Sequence, residues 1–499
     1  MRLTRQTLSG LGEQVYADFT LPEKVLQFGE GEFLRGFADW MIHRMNCAGL
    51  FKGRIVVIQN SPEGSVAGLN EQDGLYTMLL RGVRNGTAVE NREIVSSISR
   101  GINPYKDYEA FLECASNPDL RVIVSHTAPD ALTFRAEDRS DDRPPASFPG
   151  KLTAFLYRRF TRFSGDHTKG FIILPCEPAE QNGEILKRLV LTYAQNWGLP
   201  AGFSWWVMNS NHFLNTLVDR IVTGFPKDEI ERLEAELGYE DALLNAGEVF
   251  HLWVIEGERK LERELPFAEA GLRVIWTDDL SPYRNRNVRI MNGAHTMTVL
   301  AAFLAGQDTI DGCTRDELIR RFIREGIMEE VIPNLMVHDE ELRKFASALF
   351  ERFANPFVRH DLLPLTSYSV SKFRIRVLPS LLEYMGRFGK VPHVLSLSLA
   401  ALIAFYRGTE IRTNALIGNR DGVEYRIVDD RLVLEFFRDV WSGYDGSEES
   451  LTQLCRTVLE NRTLWGMDLT KHASLAEAVC EGISGIVRNG MRETLEASL

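Results

Sequence analysis

No two cysteines in the 499-residue chain stand close enough in sequence to make a CxxC element; Cys47, Cys114, Cys176, Cys313, Cys455 and Cys480 are scattered singly. That spacing argues against a structural zinc motif or a disulfide framework and leaves free thiols in a reducing cytoplasm as the reading. Long apolar runs are missing too. The longest, LSLAALIAFY at 397–406, falls well short of the roughly 20 residues that cross a bilayer. The opening residues, MRLTRQTLSGLGEQ, hold neither an apolar core nor a small-residue cleavage site, so a cytoplasmic location is expected. Blocks of like charge are also absent: Lys and Arg number 57, Asp and Glu 69, and the net charge of −12 is spread with the signs mixed. Phosphate-rich partners are held by clustered cations. Nucleic acid and anionic membrane are therefore not expected as partners, and no repeat or low-complexity segment points to another kind of assembly.

What is present is an ordinary globular composition, 44% hydrophobic and 25% charged, in a chain too long for one core. Short apolar runs bounded by turn residues recur in the first half: KVLQF (24–28), RIVVIQ (54–59), RVIVS (121–125), FIILPC (171–176) and VIWT (274–277). Helical patterns lie between several of them, the alternation of a mostly parallel sheet covered on both faces. After the first run, Phe33, Phe37, Trp40, Met41 and Met45 recur near helical spacing and form one apolar face. The polar stretch RAEDRSDDRPP (135–145) reads as an exposed insertion. Beyond about residue 285 the helical patterns MTVLAAFLAG, RDELIRRFIREGIMEEVIPNL, DEELRKFASALFERFANP and LTQLCRTVLENR take over. The fold class expected is α/β, with a Rossmann-type dinucleotide-binding domain over 1–280 and an all-helical domain over 281–499.

The first run passes directly into FGEGEFLRGF, residues 28–37. Gly29 and Gly31 fill the first two positions of G-x-G-x-x-G, where a tight turn lets backbone N–H groups approach a pyrophosphate at a helix start. Leu34 occupies the third. A GxG alone is a weak signal, equally met in structural turns; its place between a strand and an amphipathic helix favours nucleotide binding. The second run ends in Gln59-Asn60 without the acid that grips a ribose 2′-hydroxyl, which leaves NAD against NADP open.

Five stretches, GEGEFLRGF, LNEQDGLYTMLLRG (69–82), NTLVDRIVTGFP (215–226), NGAHT (292–296) and SKFRIRVLPSLLEY (371–384), together resemble the mannitol dehydrogenase family of long-chain polyol and sugar-acid dehydrogenases. The likeness is greatest to its branch that interconverts tagaturonate-like keto-uronates and altronate-like aldonates. It implies NAD(H)-dependent, metal-independent hydride transfer between the cofactor and a small sugar acid, at a cleft between a Rossmann and a helical domain. The cofactor would lie on Gly29, Gly31, Phe33, Leu34, Arg35, Ser125 and His126. Asn292 and His295 match the Asn and His that bind and polarise the reacting oxygen. Asn182, Asp219 and Lys372 match substrate-side positions, and Lys372 or Arg374 would offer the cation a uronate carboxylate needs.

The resemblance breaks where the chemistry would be. The family's general acid/base lysine stands five residues before the Asn of NGAH, and this chain has Asn287 there. A carboxamide does not titrate near neutrality, so Asn287 can bond but cannot exchange a proton with an alcohol. The family's Ser-Asn-Thr-Thr-Glu-Ala-Gly stretch is SHTAPDA (125–131), with His126, Pro129 and Ala131 replacing Asn, Glu and Gly, and CEPAEQNG (176–183) keeps Glu177 but changes Pro178 and Glu180. Three readings follow. The first is the family's oxidoreductase reaction with His295, an imidazole titrating near pH 6.5, or water replacing the lysine. The second is a metal-dependent epimerase, isomerase or lyase of a sugar acid, drawing ligands from His126, His212, His295, Glu180, Asp130 and Asp219. The third is a non-catalytic ligand-binding protein on the same scaffold.

Overall fold

Four of the apolar runs become strands of one sheet, joined by two more: β1 (Glu23–Phe28), β2 (Arg54–Ile58), β3 (Ile98–Ile102), β4 (Val122–Ser125), β5 (Ile172–Pro175) and β6 (His212–Phe213). Their spatial order is β3-β2-β1-β4-β5-β6, and every neighbouring pair is parallel. This is the doubly wound dinucleotide-binding order, in which the topology reverses between β1 and β4. β2, β4 and β5 are buried at every position because alternate side chains enter separate cores on the two faces. Val25, Ile55, Val57 and Val124 meet Phe37, Met41 and Met45 on one side. Leu26, Phe28, Val56 and Ile123 meet Phe111, Leu152 and Phe155 on the other.

The computed structural model describes residues 1–8, 10, 15–128, 130–335 and 339–499, so Pro129 lies outside the described residues. The chain divides into two units, 1–82 with 89–280, and 83–88 with 281–499. One sequence expectation changes in the first. VIWT does form a strand, Val274–Thr277, but it pairs with Leu252–Glu256 in a separate three-stranded sheet. Most of the 135–145 stretch is exposed, as expected, and it is anchored at Asp138, which is buried, accepts from the N–H groups of Ala146 and Ser147 at 2.8 and 3.1 Å, and bonds the hydroxyls of Ser147 and Tyr193.

After β1, residues 32–47 wind continuously, with a π-type turn at Arg35–Asp39 leading into α1 (Trp40–Cys47). The second unit is helical around α2 (Gly293–Leu304) and α3 (His393–Phe405). Every residue of α3 from Val394 to Phe405 is buried, as an all-round apolar helix must be; among the described residues no helix is long and apolar enough to cross a membrane. The unit is not wholly helical, since Gly408–Arg412, Ala415–Arg420 and Val423–Ile427 form an antiparallel three-stranded sheet. Its strands are short and half-exposed, and carry no long apolar run to announce them.

Candidate active site

At the switch point the turn after β1 and the segment after β4 lie side by side, because Phe28 is in register with Ser125 and the His126 N–H donates to the Phe28 carbonyl at 3.2 Å. Gly29 takes φ +107°, and a Cβ there would fall 2.5 Å from the His126 carbonyl oxygen; this close approach explains the glycine. At Gly31 a Cβ would meet nothing within 4 Å. That open space, beside first-turn N–H groups lacking intrahelical acceptors, is the cradle a pyrophosphate requires. The acids flanking Gly31 are engaged elsewhere: Glu30 accepts from the Asn60 N–H at 3.3 Å and Glu32 from the Phe225 N–H at 3.0 Å. Beneath the turn Gln27 donates to the Gly29 carbonyl at 3.0 Å and to Asp39 at 3.3 Å. Asp39 is 0% exposed, and burial pushes its carboxyl up to about 7. The residues present thus fit a dinucleotide at its phosphates.

Of the cofactor residues expected from the resemblance, Gly29, Gly31, Phe33 and His126 gather here, the Phe33 and His126 rings lying 4.4 Å apart. Burial holds His126 below the ordinary imidazole range. Three side chains are committed inward instead. Leu34 is buried in the core, so only its backbone is available. The Arg35 guanidinium bonds the Leu243 carbonyl at 2.5 Å and lies 5.5 Å from the Tyr76 ring centroid. Ser125 donates to the buried Glu177 carboxyl at 3.0 Å, which also accepts the Thr127 N–H and hydroxyl at 3.1 and 3.0 Å. Burial raises the pKa of Glu177, and this clamp joins the ends of β4 and β5.

Asn182 is not placed to touch a substrate. It is 0% exposed; its Nδ2 donates to the carbonyls of Pro175, Glu177 and Thr216 at 3.0, 3.0 and 3.2 Å, and its Oδ1 accepts the Gly183 and Thr216 N–H groups at 3.0 and 2.9 Å. The amide's bonding capacity is used on backbone, making it a staple between loops. Asp219 is buried on the strand Asn215–Asp219, opposite Leu252. Among the described residues His126, His212, Glu180, Asp130 and Asp219 belong to no cluster able to hold a metal ion. The described residues named for the metal-dependent reading thus form no ligand set with one another in the first unit.

In the second unit RNRNVRIMNGAH spans a short helix, a π-type turn at Asn287–Asn292 and the start of α2. Two arginines of the run are structural: Arg286 packs 4.3 Å from the Phe345 ring centroid and pairs with Glu341 at 2.8 Å, and Arg289 pairs with Glu383 at 2.6 Å. Asn287, where the family lysine would stand, keeps a buried Oδ1 with no partner among the described residues. His295 places Nδ1 3.0 Å from the Met291 carbonyl. A carbonyl only accepts, so Nδ1 carries the proton and Nε2 presents a lone pair. Burial drives the His295 pKa down to about 4, with His360, Arg352 and Arg376 adding to the effect. The imidazole does not titrate near pH 6.5 as expected from its ordinary value; it is neutral across the physiological range.

Lys372 and Arg376, four residues apart, share a face of the helix Ser369–Arg376. Lys372 donates to the Leu365 carbonyl at 3.0 Å, and Arg376 lies 3.3 Å from the Thr296 hydroxyl, next to His295. Burial lowers the pKa of both. Arg374 is exposed on another face and turns to the Thr463 carbonyl at 3.4 Å. The spacing from Lys372 carried the signal for Arg376. At Gly293 a Cβ would lie 3.3 Å from the Arg376 carbonyl, so the glycine of NGAH admits this helix beside His295.

Residues 23–268 match the family model of the mannitol dehydrogenase Rossmann domain and residues 279–487 that of the mannitol dehydrogenase C-terminal domain. The altronate oxidoreductase of Halalkalibacterium halodurans is 44% identical over 485 residues, 97% of this chain and 94% of that protein. That of Bacillus subtilis is 43% identical, covering 97% of each. Among solved structures, Pseudomonas fluorescens mannitol 2-dehydrogenase, a ternary complex with NAD and D-mannitol, superposes with a TM-score of 0.67 at 21% identity, covering 100% of this chain and 99% of that one.

Proposed function

Since the chain belongs to the mannitol dehydrogenase family, we propose that it interconverts a tagaturonate-like keto-uronate and the altronate-like aldonate with NAD(H), using a proton route that does not need the family lysine. The observation carrying this reading is the 44% identity, over 97% of the chain, to a protein named altronate oxidoreductase, joined to the retained Asn292 and His295. When bound, NAD(H) supplies the hydride acceptor or donor. Gly29 and Gly31 admit its phosphates. Glu30 sets a carboxylate against Asn60 at the tip of β2, where an added 2′-phosphate would be repelled, which favours NAD over NADP.

The remaining roles fall to the second unit. In aldonate oxidation the neutral His295 accepts the hydroxyl proton at Nε2, while the Met291 carbonyl fixes the ring through Nδ1. Asn292 donates its amide N–H to the carbonyl oxygen as it forms. Lys372 and Arg376 receive the carboxylate by charge-assisted hydrogen bonds. The test is to mix the protein with tagaturonate and NADH, with and without EDTA, following cofactor absorbance and analysing the sugar acids. Stoichiometric NADH consumption with altronate formation, unaffected by EDTA, is expected. An epimerised product formed without NADH loss and abolished by EDTA overturns the proposal.

A further inference from the structure

We propose that His43, Cys47 and Glu93 form a site for a zinc-class divalent cation, apart from the hydride-transfer residues. His43 and Cys47 are four residues apart on α1 and therefore share one helix face. Glu93 reaches them from the strand Thr87–Val95. The His43 Nε2 lies 3.3 Å from the Cys47 Sγ and 3.5 Å from the Glu93 Oε1, and the three donor atoms all lie within 4.8 Å of one another. With zinc–sulfur bonds of about 2.3 Å and zinc–nitrogen bonds of about 2.0 Å, the edges of a tetrahedron measure roughly 3.3–3.8 Å. Two of the edges are thus already formed. Imidazole, thiolate and carboxylate are the mixed donor set that zinc accepts and magnesium or calcium does not.

The surroundings orient the donors. Ser96 approaches the His43 Nδ1 with both its N–H and its hydroxyl at 3.3 Å. The N–H donates when Nδ1 is bare, and the hydroxyl accepts when Nδ1 carries the proton, as it must once Nε2 binds a metal. Trp40 Nε1 donates to Glu93 Oε2 at 2.8 Å and Arg44 to Oε1 at 2.9 Å, so the carboxylate is held in place. His43 is buried while Cys47 is exposed; the ion enters from the thiol side, where a water can complete the fourth position. On binding, the Cys47 thiol releases its proton to solvent as the sulfur–metal bond forms, and thiolate and carboxylate together offset the two positive charges. The bound ion ties α1 to the strand behind it.

Cobalt(II) titrated into the full-length reduced protein is the probe. A near-ultraviolet thiolate-to-cobalt charge-transfer band, with visible bands of tetrahedral intensity, is expected to saturate at about one ion per chain and to yield to zinc. Cys47→Ser, at an exposed position and with the other cysteines intact, should remove the charge-transfer band, and Glu93→Gln should weaken binding at least about tenfold. No charge-transfer band in the unaltered protein, or one that survives Cys47→Ser, overturns the proposal and leaves an ordinary hydrogen-bonded cluster.

Discussion

Replacing Asn287 by lysine should move the pH dependence of catalysis from one direction of the reaction to the other. Reduction of a ketone by NADH takes up one proton, so the ratio of the reductive to the oxidative kcat/KM must fall tenfold with each pH unit. In the unaltered protein His295 has a pKa of about 4, so at pH 7 roughly 10⁻³ of the molecules hold the imidazolium that could deliver a proton. The neutral base, by contrast, is fully available. Altronate oxidation should therefore be flat above about pH 5, while tagaturonate reduction falls about tenfold per unit between about pH 5 and about pH 8. Asn287→Lys introduces an ammonium that is protonated throughout that range. Its reductive kcat/KM should flatten and rise about 10²–10⁴-fold at pH 7, and its oxidative kcat/KM should rise by the same factor there and now climb with pH. Initial rates in both directions, read from NADH absorbance with saturation curves at each pH, make the comparison. An unaltered protein whose oxidation rises with pH while its reduction stays flat would refute the assignment of the proton to His295, because that pattern requires a donor of high pKa. A lysine variant within about twofold of the parent in both directions would refute the placing of position 287 at the reacting oxygen.

Arg376→Ala should raise KM for tagaturonate about 10- to 100-fold, the loss of one charge-assisted hydrogen bond, while Arg374→Ala, at the exposed position, should leave it unchanged; steady-state kinetics on both variants separate them. Asn182→Ala should lower unfolding free energy by roughly 2–4 kcal/mol in urea titrations, since several backbone groups lose their partner at a 0% exposed site; full stability with a selective rise in KM would restore Asn182 to the substrate. Asp39, raised by burial from 3.8 to about 7, favours its protonated form when folded, so its contribution is complete below about pH 4 and is lost as pH rises to about 7. Asp39→Asn should accordingly remove a stability decline of about 1.4 kcal/mol per pH unit across that window, measured as denaturant midpoints at several pH values.

How much of this was legible depended on whether a residue's role is local. The glycines of FGEGEF declare themselves because a turn between a strand and a helix is a short-range event, and the strand order that places His126 beside them follows from β–α alternation. The helical repeat after residue 285 is local in the same way. Asn182 is the opposite case: nothing in QNG tells that Pro175, Glu177 and Thr216 will surround its amide with carbonyls, so a positional match assigned it to substrate. The inward turn of the Ser125 and Arg35 side chains is hidden for the same reason, their partners Glu177 and Leu243 being 52 and 208 residues away. Arg376 was within reach, because four-residue spacing from Lys372 puts the two on one face and Arg374 off it. The pKa of His295 was not, since it depends on burial among Arg352, His360 and Arg376, groups scattered along the sequence. That last point bears on the missing lysine. A histidine kept neutral in such a setting is available as an acceptor throughout the neutral range and only rarely as a donor, so in a chain with Asn287 aldonate oxidation is flat with pH while ketone reduction falls as pH rises. The substitution therefore changes which direction of the reaction carries the pH dependence, while the ratio of the two rates at any one pH stays fixed by the equilibrium.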